Sequence, residues 1–149
     1  MAKTATLALA AILATSTAAF AAWNDPQQPF NVYGNTWYVG TKELSAILIT
    51  SPQGHVLLDG AVPESAPMIE RNIRALGFRI EDVKLILNSH AHVDHAGGIA
   101  PLQRASGADV ATSVAGARAL RQGAATPDDP QAAFGDKFPA VARVRDVKD

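Results

Sequence analysis

Hydrophobic and polar positions along the chain switch several times between a two-residue and a three-to-four-residue period. An aromatic, β-branched stretch around Val32 to Val39 predicts a first strand or hairpin. The run Leu44 to Thr50 (LSAILIT), the turn Ser51-Pro52-Gln53-Gly54 and the run His55 to Leu58 (HVLL) predict a β-hairpin, with Pro and Gly where a turn needs them. Ile69, Ile73 and Leu76 then recur at helical spacing. Ser65 is placed to cap that helix, Pro67 lies in its first turn, and Gly77 stops it so that Phe78 can fold back. Val83 to Leu87 is continuously apolar, which predicts a strand buried on both faces. Beyond it the pattern predicts a helix over Ile99 to Ala105, a strand over Asp109 to Thr112 and a helix over Val114 to Gln122. A loop over 124–139 and a last strand over Val141 to Val147 follow.

The order β, β, α, β, α, β, α, β implies a layered α/β domain, whose middle strand delivers its carboxyl end to the place where open α/β sheets keep their ligands. Ahead of it, Lys3, the alanine-rich apolar run Leu7 to Leu13 and the tripeptide Ala19-Phe20-Ala21 read as a signal peptide over residues 1–21, leaving 22–149 as the domain. The apolar run is too short to span about 30 Å of hydrocarbon. The expected location is therefore the periplasm, with no membrane partner after cleavage. Composition adds little to this picture: 48% hydrophobic residues, 18% charged and a net charge of -1 are ordinary for a globular domain and do not suggest a nucleic-acid partner. With no cysteine, neither a disulfide framework nor a lipid attachment site is available.

Three of the four histidines fall in the stretch NSHAHVDHAGG, residues 88–98. His90, His92, Asp94 and His95 offer imidazole and carboxylate without thiolate, a donor set that suits zinc first among divalent ions. In an extended segment His90 and His92 point the same way and can share one ion. Asp94 and His95 follow where the chain must turn, so a second ion close by is natural, and Gly97-Gly98 frees the backbone to enter the next helix. Asp59, at the end of the hairpin before Gly60, could steady this loop from behind or cap a turn. Ser89 and Asn88 could likewise hold the loop. Trp37 and Tyr38 could border a cleft or belong to the core. His55 reads as a solvated strand-end residue, and Arg118 and Arg121 as a solvated helix face.

His90-Ala-His92-Val-Asp94-His95 resembles the His-x-His-x-Asp-His signature of the metallo-β-lactamase superfamily. The flanks YVGTKELSAILITSPQGHVLLDG and DVKLILNSHAHVDHAGGIAPLQRASGADV look like the third subclass of class B β-lactamases. The resemblance implies an α/β fold, the N-terminal half of a four-layer αβ/βα sandwich with the C-terminal half absent. It implies hydrolysis of a small-molecule β-lactam, carbapenems included, by a metal-bound hydroxide. His90 and His92 would hold the first of two Zn2+ ions, Asp94 and His95 the second, and Asp94 would orient the attacking hydroxide as the catalytic carboxylate. Such chemistry needs no acyl-enzyme, and the chain has no Ser-x-x-Lys motif.

One departure qualifies the resemblance. The family takes a further histidine for each metal from its second half, and no histidine follows His95. The expectation is an incomplete domain that is inactive by itself. The rivals are another hydrolase of this fold, acting on a thioester, lactone or phosphoester, and a truncated, non-catalytic gene product. Oligomeric state is not legible at this level.

Overall fold

The structure, a computed structural model, describes residues 23–147; the expected signal peptide lies outside the described residues. Strands β1 (Phe30–Tyr33) and β2 (Thr36–Tyr38) form an antiparallel hairpin and β3 (Ile47–Ile49) pairs with β2. The predicted second hairpin is present, although β3 is shorter than the apolar run. Thr41 closes a turn before it: its Oγ1 accepts the Leu44 N–H at 2.9 Å, which holds Leu44 outside the ladder. Strand β4 (His55–Leu58) begins a parallel set completed by β5 (Val83–Leu87), β6 (Asp109–Ser113) and β7 (Arg145–Val147).

The seven strands lie side by side in chain order. Helix α1 (Ala66–Ala75) connects β4 to β5, the one-turn α2 (Val93–Ala96) and α3 (Ile99–Ser106) connect β5 to β6, and α4 (Val114–Gln122) connects β6 to β7. Right-handed crossovers that always step in the same direction place their helices on one face of a sheet. Leu48, Leu57, Ile86 and Val110 on that face are fully buried with Ile69, Ile73, Ile99, Leu102 and Leu120 of the helices. The strand register puts Ile47, Ile49, Val56, Leu58, Leu85 and Leu87 on the opposite face. These are only half-buried, and Ile49 is 38% exposed. Burial of β5 on both faces, as its continuous apolar run predicted, is thus met on one face.

Several local expectations are corrected. Ser65 holds the N-cap position of α1 as expected, but its side chain makes no capping hydrogen bond: it ends a preceding turn of 3-10 helix, and its hydroxyl donates to Asn24 Oδ1 at 2.8 Å. The C-terminal end matches, with Gly77 at φ 85° and the Phe78 N–H donating back to the Ile73 carbonyl at 3.2 Å. His55 is not solvated: it is 9% exposed, packs edge-on against Phe78 at 5.2 Å, and its Nδ1 accepts the Ser51 N–H at 3.3 Å. The last strand starts only at Arg145, because Val141 is buried and its N–H donates to the Leu120 carbonyl at 2.9 Å, tying that segment to α4.

Candidate metal centre

Strand β5 ends at Leu87, but its pairing runs one step further, with the Asn88 N–H donating to the Ala111 carbonyl at 3.1 Å. The Thr112 hydroxyl donates to the Asn88 carbonyl at 3.0 Å. Both bonds tie the strand end to β6, and on the β4 side the Asp59 N–H donates to the Leu87 carbonyl at 2.9 Å, so the histidine segment leaves a sheet that is still held on both sides. It re-enters regular structure at α2, whose N-terminal cap is His92 and which carries Asp94 and His95.

Asp59 supports this segment from β4. Its backbone takes the left-handed conformation (φ 61°), which Asp tolerates better than most residues, and its side chain is buried. The carboxylate accepts four hydrogen bonds: Asn88 Nδ2 at 3.0 Å, Ser89 N–H at 2.8 Å, Ser89 Oγ at 2.6 Å and His95 Nδ1 at 3.0 Å. Burial pushes its pKa up, but the hydrogen bonds from His95 and Ser89 outweigh that and hold the carboxyl below its ordinary value. Of the two roles open to Asp59 in the sequence, the geometry gives it the supporting one.

Gly98 closes the unit. A Cβ there would lie 2.1 Å from the Gly60 carbonyl oxygen, so the end of the histidine segment and the end of β4 can touch only as bare backbone.

His90, Asp94 and His95 converge, each offering one ligand atom, with those atoms all within 4.8 Å of one another. The His90 and His95 rings are 4.0 Å apart, and His95 Nε2 lies 3.4 Å from Asp94 Oδ2. His92 stands beside this group rather than in it: its ring is 4.6 Å from His90, edge to face, and its Nε2 meets Asp129 Oδ2 at 3.0 Å. All three imidazoles thus have one nitrogen engaged, His90 Nδ1 by Ser89 Oγ at 3.2 Å, His95 Nδ1 by Asp59 and His92 Nε2 by Asp129. That leaves the other nitrogen of each for an ion, the arrangement that metal-ligating histidines adopt.

Desolvation, then the nearby His95 and His92, hold the pKa of His90 below its ordinary value and keep its lone pair free. His95 is shifted the opposite way, chiefly by its hydrogen bond to Asp59. Neutral imidazoles and a carboxylate at this spacing fit a borderline divalent ion.

Asp129 was not legible as a site residue. It sits 37 positions from His92 in the 124–139 loop, and the only local signal, Asp before Pro, marks the start of a turn. Trp37 and Tyr38 are half-buried and make packing contacts away from the cluster. Trp37 packs edge-on against Phe78 at 5.8 Å; Tyr38 stacks on Phe30 at 5.1 Å and donates its hydroxyl to the Thr41 and Leu44 carbonyls. A hollow of about 150 Å³ opens beside the cluster between Ser89, His90, Ser113, Gly116, Thr126 and Asp129.

A mixed sheet with its described helices on one face, presenting a histidine-carboxylate cluster at the carboxyl end of a central parallel strand, defines an α/β protein with a site that could hold a divalent ion. Residues 40–148 match the family model described as metallo-beta-lactamase superfamily, and the chain belongs to that family.

Solved structures narrow the neighbourhood. The chain is 60% identical to Rm3 metallo-beta-lactamase, with a TM-score of 0.84 over 87% of this chain and 48% of that one. It is 59% identical to MEM-A1, a subclass B3 metallo-beta-lactamase isolated from a soil metagenome library (TM-score 0.81; 85% of this chain and 48% of that one). To SMB-1, solved with mercaptoacetic acid, it is 51% identical (TM-score 0.82; 85% and 49%). The chain spans about half the length of these relatives.

Proposed function

We propose that this chain forms the zinc-binding half of a periplasmic β-lactamase that hydrolyses the β-lactam amide bond, carbapenems included. The observation that carries the reading is the convergence of His90, Asp94 and His95, with one nitrogen of each imidazole engaged by the protein and the other left for an ion. Similarity to three solved metallo-β-lactamases supports β-lactams as substrate ahead of thioesters or lactones. His90 and His92 are assigned to one zinc, Asp94 and His95 to a second. Zinc held there supplies Lewis acidity and a water of lowered pKa.

The remaining work belongs to the residues. Asp94, half-buried beside His95, accepts a hydrogen bond from the attacking water and fixes its direction. Asp59 and Ser89 keep the imidazoles in place, and the hollow beside His90 receives part of the substrate. With two protein ligands per ion, the 149-residue chain alone binds zinc weakly and does not turn over β-lactams.

The test is a chimera in which residues 23–149 replace the matching half of Rm3. Expected is carbapenem hydrolysis that a chelator abolishes and that Asp94→Asn lowers by about 100-fold or more, the scale set by loss of a positioned acid-base group. A folded, zinc-loaded chimera with no β-lactam turnover would sink the reading.

A further inference from the structure

His92 differs from the other two histidines in where its support comes from. Asp59 and Ser89 belong to the two strand ends that build the centre, whereas Asp129 comes from the distant 124–139 loop. Both carboxylate oxygens of Asp129 lie within reach of His92 Nε2, at 3.0 and 3.2 Å. A carboxylate in that position can only accept, so Nε2 carries the hydrogen and the lone pair of neutral His92 is left on Nδ1.

Asp129 is itself well fixed. Its Oδ1 accepts the Gln131 N–H at 2.8 Å and caps the turn Pro130–Phe134, and its own N–H donates to the Thr126 carbonyl at 2.8 Å. Pro130 restricts the backbone of Asp129 to the extended conformation it shows (φ -85°, ψ 131°). The loop is pinned a second time by Ala124, which bridges to Lys137. Asp129 also forms part of the wall of the hollow beside His90.

We propose that Asp129 is a positioning residue that holds His92 in its Nε2–H tautomer, presents Nδ1 to a metal, and thereby couples metal binding to the seating of the 124–139 loop against the cleft. This rests on the metal-centre reading above, and it extends that centre to a residue outside the histidine motif. The loop that borders the hollow becomes fixed by the same hydrogen bond that prepares the ligand. Seating the loop and binding the ion then favour each other.

The experiment uses the full 149-residue chain, metal-free, at a pH above the imidazole range, with ring-nitrogen NMR of the histidines. Wild type should show His92 protonated on Nε2. In Asp129→Asn the new amide group can donate to that nitrogen, so the proton should move to Nδ1, while the retained oxygen still caps the turn and protects the fold. Asp129→Glu should restore the Nε2–H tautomer. Zinc titrated into the same samples should bind Asp129→Asn about 10 to 100 times more weakly than wild type, the usual cost of losing such a partner. In wild type alone, zinc should slow amide exchange in residues 126–135.

An unchanged His92 tautomer in Asp129→Asn, or equal zinc affinity in the two proteins, overturns the proposal. Wild type with the Nε2–H tautomer but no zinc uptake even in the chimera with the matching half of Rm3 instead overturns the metal-centre reading, a result distinguishable from either.

Discussion

Asp59 is where the chemistry of the centre is most concentrated on one side chain. Four donors meet two carboxylate oxygens inside the protein, so exchanging one oxygen for an amide must set donor against donor. Asp59→Asn keeps the size and tolerates the same left-handed backbone, which isolates the hydrogen-bond effect. We expect it to destabilise the metal-free chain by about 1–3 kcal/mol, measured by urea unfolding. The pH dependence has a definite sign. The lowered pKa of Asp59 contributes stability that is present above its unfolded value near 4 and is lost as pH falls through the still lower folded value. The raised pKa of His95 contributes stability that is present below its unfolded value of about 6.5 and is lost as pH rises through the folded value. The pair therefore helps most between those limits, at about pH 5 to 6, and Asp59→Asn should flatten that maximum. An unaltered profile would mean that the pair does not set it. Zinc should reverse the alkaline loss, since it takes the deprotonated imidazole. At this scale the sequence carried the cluster, because four donors lie within six positions. It left Asp59 with two roles, since nothing local separates a turn aspartate from one that reaches His95. Asp129 had only the turn signal of an aspartate before proline, which says nothing of His92.

Elements place those residues through contacts that allow no side chain. Gly98→Ala would drive a methyl group into the Gly60 carbonyl, backbone against backbone, where neither side can rotate away. Gly77→Ala meets open space and carries only the strain of its positive φ. We expect about 1 kcal/mol for Gly77→Ala and at least about 2 kcal/mol for Gly98→Ala, compared by chemical denaturation. Gly98→Ala should also weaken zinc binding, because the β4 end and the histidine segment can no longer meet; equal costs for the two variants would refute this packing account. The elements themselves were largely legible. Strand β5 matches its apolar run, and α4 ends at Gly123 in the left-handed conformation, because runs and stops of this kind are local properties. Failures occurred where a distant partner decided the outcome. Asn24 takes the Ser65 hydroxyl away from capping, Phe78 buries His55, and Leu120 draws Val141 off the sheet.

For the whole molecule, the unequal faces of the sheet matter most. In the centre of seven strands, Val56, Leu58, Leu85 and Leu87 remain partly exposed, and Phe30 (48%) and Ile49 (38%) extend the same apolar surface. The continuous apolar run of β5 reads as a strand covered twice because its composition suits a sheet with layers on both sides, yet within the described residues the helices serve one side. A contiguous apolar patch on a soluble chain tends to find a partner surface. We expect residues 22–149, freed of the apolar run Leu7 to Leu13, to self-associate with rising concentration in sedimentation and to bind a hydrophobic dye. Ile49→Lys, at a position already open to solvent, should weaken that association by roughly tenfold, about 1.4 kcal/mol, without lowering the unfolding midpoint by more than a few degrees. In the chimera with the matching half of Rm3 the same substitution should instead destabilise the fold, because the lysine would then be buried without a partner. A chain that stays monomeric and dye-silent at high concentration would show that the second face is satisfied as it stands, and the chimera would then gain nothing by covering it.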